Sequence, residues 1–282
     1  MAVAGFSGLS RRRRRLGFTL VEMVTVLIIL GVIAVGVSSF LIFGTRIFVD
    51  STSVDQVLSQ SRFALERMTR ELRGAVPNSL RVKTDGVSWQ CLEFVPIVAS
   101  TSYLDMPIYP QSAASSGTVI KPINPIISDQ MALIYPLVSG DVYSDPASTT
   151  GKLFDLKQVS EDNHEQTLTF ERPVQFAEAS PRQRVFFVTQ PVSYCFITES
   201  DGGNLYRFAN YGINHPQQLT PLQMSNGVLM AQNISNDIAT DPPFSLTPST
   251  LVNNALVQLT PEFQVIGEKF RYQQQVQVIN VP

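Results

Sequence analysis

Histidine, cysteine and tryptophan are nearly missing: two, two and one in 282 residues. Two cysteines exclude a cysteine-dense scaffold and a multi-cysteine metal site. His164 and His215 each lack a companion at ligand spacing, so each reads as a surface or hydrogen-bonded side chain. Glu161, Asp162 and Glu165 gather around His164 as a solvated turn, and Asp237 and Asp241 are too few carboxylates to claim a cation site. No G-x-S-x-G, H-E-x-x-H or phosphate-binding glycine loop occurs. The expectation is therefore a protein that is not an enzyme and needs no cofactor or metal. Charge is sparse as well, at 16% of residues with a net value of −2. That excludes a chain-wide basic nucleic-acid binder. A hydrophobic share of 44% excludes a disordered tail protein.

Proline is unevenly absent. All eighteen lie at Pro77 or later. Proline inside a helix costs about 3 kcal/mol or more, so a proline-free stretch permits a long helix. Within that stretch, Arg11–Arg15 are five consecutive arginines, and no residue from Met23 to Phe43 is charged. Phe18 to Phe43 is a run of 26 residues with one charge, Glu22. A bilayer core of ~30 Å needs ~20 apolar residues. The arginines precede the span and belong on the cytoplasmic side, which places the chain after Arg46 outside the cytoplasm. A secretory signal has a shorter apolar region closed by a small-residue site. Here the run is longer and no such site closes it. A plain signal anchor does not explain an acid in the first turn of the span, where burial in lipid is costly.

The string Arg15-Leu16-Gly17-Phe18-Thr19-Leu20-Val21-Glu22 resembles the signal of type IV prepilins and type II secretion pseudopilins. The shared elements are a basic leader ending in glycine, a phenylalanine, a glutamate four residues on, and an unbroken apolar helix. The resemblance implies cleavage between Gly17 and Phe18 by a membrane prepilin peptidase and N-methylation of the new Phe18 amine. It also implies that Glu22 docks the subunit during assembly. Physically, a carboxylate one turn away can neutralise that amine or a neighbour's, each relieving the other's burial cost. Cleavage removes five of the 21 basic side chains and leaves 16 against 23 acidic ones, a balance of −7.

Beyond the span the helix is expected to continue. Val54, Leu58, Ser61, Leu65, Met68, Leu72 and Val76 recur at steps of three or four. Arg62–Glu66 and Glu66–Arg70 stand as i,i+4 pairs. Gly74 and Pro77 close the helix. Some 55 residues would run ~80 Å at 1.5 Å each. The organisation that follows is a leader at 1–17, a transmembrane helix at 18–45, an amphipathic stem at 46–76 and a β-rich head at 77–282.

Ten head segments read as strands: Ser88–Val95, Met131–Tyr135, Leu153–Val159, Thr167–Glu171, Arg184–Gln190, Val192–Ile197, Leu205–Phe208, Gly227–Ile234, Leu256–Thr260 and Gln274–Val281. Asp201-Gly202-Gly203 is a hairpin turn candidate. Pro96–Gly151, with seven prolines and five charges, reads as long loops with one short strand, and Asn236–Ser249 as another loop. The fold class is α+β: a long N-terminal helix, transmembrane then amphipathic, packed on an antiparallel sheet. Cys91 and Cys195 both fall in strands. An oxidising compartment favours a disulfide between them, the alternative being two buried thiols.

The head segments Trp89–Ile97, Val192–Cys195, Leu205–Arg207 and Val278–Pro282 resemble the MshO group of minor pilins from MSHA (mannose-sensitive haemagglutinin) pilus systems. That group is similar to the PilW minor pilins of type IV pili and the GspJ pseudopilins of type II secretion. What it implies is a minor pilin that primes pilus assembly from the Gram-negative inner membrane, single-pass, with a periplasmic head. Its partners would be other minor pilins, the major pilin, the prepilin peptidase and the inner-membrane assembly platform, with no nucleic acid. The alternatives are a secretion pseudopilin and a signal-anchored periplasmic binding domain that never assembles.

Overall fold

The computed structural model describes residues 17–161, 164–200, 202–250 and 253–279. The leader up to residue 16, Asp162, Asp201 and residues 280–282 lie outside the described residues. The chain divides into two compact units, Met1–Thr52 and Ser53–Pro282.

Helix α1, Leu20–Arg73, is 54 residues long. In the second unit it buries Ser61, Ala64, Leu65, Met68, Thr69 and Leu72. The expected stripe is fully buried from Ser61 to Leu72, while Val54 and Leu58 are half-buried. Ala64 and Thr69 widen the stripe to the breadth a core-facing helix needs. The helix stops at Arg73, where the amides of Gly74 and Ala75 tighten onto the carbonyls of Glu71 and Leu72, both at 3.1 Å. Val76 therefore does not extend the stripe. Its amide donates to the Val95 carbonyl at 2.8 Å, and its side chain is buried in a different cluster from Leu72. The expected pairs Arg62–Glu66 and Glu66–Arg70 do not form. The i,i+4 pair is Arg67–Glu71, at 3.0 Å.

The strands in chain order are β1 Arg81–Thr84, β2 Trp89–Phe94, β3 Ile97–Asp105, β4 Ala114–Ile120, β5 Met131–Ile134, β6 Thr150–Gly151, β7 Leu153–Glu161, β8 Glu165–Phe176 and β9 Arg184–Val188. They continue with β10 Val192–Glu199, β11 Gly202–Ala209, β12 Val228–Ile234, β13 Phe244–Thr247, β14 Ala255–Leu259, β15 Glu262–Val265, β16 Glu268–Arg271 and β17 Gln274–Val278. A short helix, α2 Ser139–Val142, lies between β5 and β6. A long helix followed by an antiparallel-rich β domain makes the fold α+β, with a pilin-like N-terminal helix.

Each of the ten expected strands is present within a few residues. Pro96–Gly151 is a correction: it holds β3, β4, β5, α2 and β6 rather than mainly loops. Its prolines sit at or outside strand ends, where no ladder amide is lost. Asn236–Ser249 likewise contains β13.

Strands β4-β3-β9-β5-β7-β8 follow one another, and β4 also pairs with β8, so this sheet closes on itself with β6 appended to β8. β3 pairs first with β9 and then with β4, and β7 first with β5 and then with β8. Strands that change partners in this way form the corners of a closed structure. Phe154, Phe170 and Phe176 fill its interior, with Phe154 and Phe176 edge-to-face at 4.7 Å. β5 and β9 are buried on both sides. Ala132, Ile134, Val185 and Phe187 point inward, while Met131, Leu133, Phe186 and Val188 join Val76, Val95 and Tyr143 outside. That explains why both read as continuous apolar runs rather than alternating ones.

A second sheet runs β1-β2-β10-β11-β12-β15-β16, and a third β13-β14-β17. The buried side of α1 shares one core with both: Leu65, Met68 and Leu72 lie among Leu92, Phe94, Tyr194 and Phe196 on one sheet and Val257, Leu259, Val276 and Val278 on the other. Residues 255–278 form a single bent ribbon. β14 pairs with β17, β15 with β16, in one unbroken register from Ala255↔Val278 to Val265↔Glu268. The bend falls at Pro261, whose carbonyl takes the Tyr272 amide at 3.0 Å. One half of the ribbon thus serves the third sheet and the other half the second.

Candidate functional site

Gly17, Phe18 and Thr19 precede the helix, which opens at Leu20. Thr19 is its N-cap: its hydroxyl oxygen accepts the Glu22 amide at 3.2 Å and its carbonyl accepts the Met23 amide at 3.2 Å. Thr19-x-x-Glu22 is the sequence of a capping box, a signal available in the sequence and passed over there. Glu22 sits in the first turn, where the unpaired helix amides favour a carboxylate. The side chains of Phe18 and Glu22 are both exposed. The scissile bond expected between Gly17 and Phe18 thus lies in non-helical chain, one capped turn ahead of the acid.

The helix behind this turn is apolar on every side. Its most apolar stretch has a mean hydropathy of 2.8 and none of it is buried. Ile33, at mid-span, is 54% exposed, where a core isoleucine would be close to zero. This rules out the core helix of a soluble domain for the described chain. Three threonines along this helix bond back to their own backbone. The hydroxyls of Thr25, Thr45 and Thr52 donate to the carbonyls of Glu22, Leu41 and Phe48 at 3.0, 2.7 and 2.8 Å. Such back-bonding is how hydroxyls are accommodated in a lipid-facing helix. The helix suits a single-pass membrane anchor.

In the second unit the stem half of α1 is pinned electrostatically as well as by packing. Glu71 accepts from Arg67 Nε and Arg207 Nε at 3.0 Å each and from the Tyr194 hydroxyl at 3.1 Å. Burial, then the Glu71 carboxylate, raises the Tyr194 phenol well above its ordinary value. Arg67 stands four residues before Glu71, a spacing readable in the sequence, whereas Tyr194 and Arg207 come from strands more than a hundred residues away and were not legible from spacing.

Cys91 and Cys195 are bonded. They are direct partners on β2 and β10, with Cα atoms 4.0 Å apart, and are fully buried beside Phe208 and Met224. Trp89, the chain's one tryptophan, packs on the same cluster. A second buried polar group lies nearby. Glu93 on β2 is fully buried, ion-paired with Arg81 and hydrogen-bonded by the Tyr211 hydroxyl at 2.9 Å. The Arg81 guanidinium stacks 3.5 Å from the Tyr143 ring centre. His215 Nε2 donates to the Tyr211 carbonyl, 2.9 Å away, and His164 is exposed. Asp237 caps its own turn through the Ala239 amide and Thr240 hydroxyl, each at 3.0 Å, and Asp241 is paired with Arg271.

The model of the prokaryotic N-terminal methylation motif matches residues 12–38, less than a tenth of the chain. No curated protein and no solved structure matches. Methylation motif, capped acidic first turn and uncovered apolar helix together support a type IV pilin-like protein, in the broad sense that includes pseudopilins. The motif implies processing by a prepilin peptidase and association with pilus or secretion components.

Proposed function

We propose that the chain is a minor pilin that helps prime assembly of a type IV pilus of the MSHA kind, and that its role is structural rather than catalytic. In this reading the prepilin peptidase cuts after Gly17 on the cytoplasmic side of a Gram-negative inner membrane, and the Phe18 amine is methylated. The apolar half of α1 holds the subunit in the bilayer, with the head in the periplasm. The helix then packs against other minor pilins on the assembly platform, and the major pilin polymerises on that complex. Glu22 sets the register by meeting the Phe18 ammonium group of its own chain or of a neighbour.

The observation that carries this reading is an apolar helix surface left uncovered along its length, with the methylation motif and one acid at its start. A large head with a closed barrel and two further sheets favours a minor over a major pilin, since it would crowd a densely repeated filament. The test is the mature N-terminus. Mass spectrometry of the protein made with the peptidase should find N-methyl-Phe18, and without it the intact leader. Glu22→Leu should insert into the membrane and be processed, but fail to crosslink to other pilins. An intact leader in the presence of the peptidase refutes the proposal. Normal assembly of Glu22→Leu refutes the docking role.

A further inference from the structure

The second and third sheets each end in two edge strands, and three of these four edges are guarded. β1 carries Arg81 and Lys83, whose side chains reach the carbonyls of His215 and Gln218 at 3.0 and 2.8 Å, so the 215–218 segment lies along it. β16 carries Glu268, Lys269 and Arg271. β13 is closed by a side chain that imitates a strand: the Gln90 amide donates to the Phe244 carbonyl at 2.9 Å and accepts its amide at 3.0 Å. Charge and coverage of this sort are how sheet edges are kept from pairing with other chains.

β17 has none of these devices. It reads Gln-Gln-Val-Gln-Val, without charge or proline, and pairs with β14 through five residues with no bulge. It ends its sheet, and among the described residues its outward backbone groups meet no partner. Val276 and Val278 face the core, and Gln275 and Gln277 are exposed. The uncharged surface continues inward across the sheet, through Gln258 and Ser245 in one cross-strand row and Leu256 and Thr247 in the next.

We infer that the β17 edge is an interaction surface, and that its occupant is the same strand of a second copy, added antiparallel about a two-fold axis. The strand is complementary to itself. Centred on Val276, antiparallel pairing sets Val276 opposite Val276, Gln275 opposite Gln277, and Gln274 opposite Val278. The exposed face then pairs amide with amide, each both donor and acceptor. The inner face continues the valine row, and no like charges meet. The junction is isologous, so it closes at two copies and joins two three-stranded sheets into one of six.

The test uses the full chain in mild detergent micelles, with mass read by light scattering. The wild-type protein should show a dimer. Gln275→Lys/Gln277→Lys, which sets ammonium groups opposite each other, should weaken dimerisation at least ten-fold while leaving the urea midpoint read at Trp89 unchanged. A second arm introduces cysteines at both Gln275 and Gln277 and oxidises mildly. It should give a covalent dimer, whereas Ser245→Cys, on the same face but away from the edge, should not. A dimer that survives the lysine pair, a monomer throughout, or equal crosslinking at Ser245 overturns the proposal. Processing at Phe18 is independent of all these outcomes, so failure here leaves the pilin reading standing.

Discussion

Replacing both cysteines by alanine should cost the head most of its stability margin. The bridge links residues 104 apart. In the chain-entropy model, closing a loop of about that length in the unfolded chain contributes ~4.7 kcal/mol at 25 °C. The native side of the balance changes little. Cys91 and Cys195 already face each other on paired strands with six residue pairs in register, and the pocket is shared with Phe208, Met224 and Trp89. Removing two buried sulfur atoms there adds a further ~1 kcal/mol of lost packing. Domains of this kind hold ~5–15 kcal/mol in all. A loss of 4–6 kcal/mol therefore separates a stable head from a marginal one. Because Trp89 is the chain's one tryptophan and touches the cluster, its fluorescence during urea titration in micelles reports the transition. The oxidised wild type, the reduced wild type and Cys91→Ala/Cys195→Ala should give midpoints in that descending order, the last two close together. A loss below ~1.5 kcal/mol for the reduced protein would refute the reasoning. It would mean that the β2–β10 pairing persists in the denatured chain, leaving the bridge little entropy to remove.

Three other perturbations test separate parts of the structure. Ile266 and Gly267 form the two-residue turn of the bent ribbon with φ of 52° and 87°, a conformation that suits Asn-Gly and strains a β-branched residue; Ile266→Asn should stabilise the head by about 1 kcal/mol, read as a higher urea midpoint. Thr19→Ala removes the helix cap, worth about 1 kcal/mol, so amide exchange at Glu22 in micelles should quicken about five-fold and Thr19→Ser should restore it. Lys269, then Ser235 and Arg271, hold the Glu262 carboxyl down to about 2, so its contribution is complete above the ordinary carboxylate value near ~4.3 and fades as pH falls towards 2. The gap in urea midpoint between wild type and Glu262→Gln should therefore narrow over that window, and a gap that widens on acidification would contradict the assignment.

What the sequence disclosed and what it hid follow from the range of the interactions. Helix α1 and its membrane half were legible because both depend on neighbours three or four residues away: no proline, no charge from Met23 to Phe43, and a stripe from Ser61 to Leu72. The processing motif is more local still, and the cap at Thr19 was equally readable. Strands with a strong apolar signal, such as Met131–Ile134 and the Val185–Val188 part of β9, were found because burial on both faces leaves nothing but apolar residues there. β3 and β4 were missed for the converse reason. Ile97–Asp105 and Ala114–Ile120 are rich in Ser, Thr and Gly and bury few of their side chains. They become strands because β9 and β8 supply the ladder, and those partners lie roughly fifty to ninety residues further along. The same holds for Glu71. Tyr194 and Arg207 arrive from β10 and β11, more than a hundred residues further along, to meet it. The sheet edges carry the argument one step further. Only after the pairing is known can β17 be seen as the edge without a guard, because Gln-Gln-Val-Gln-Val reads as an ordinary strand until the side on which nothing lies has been identified.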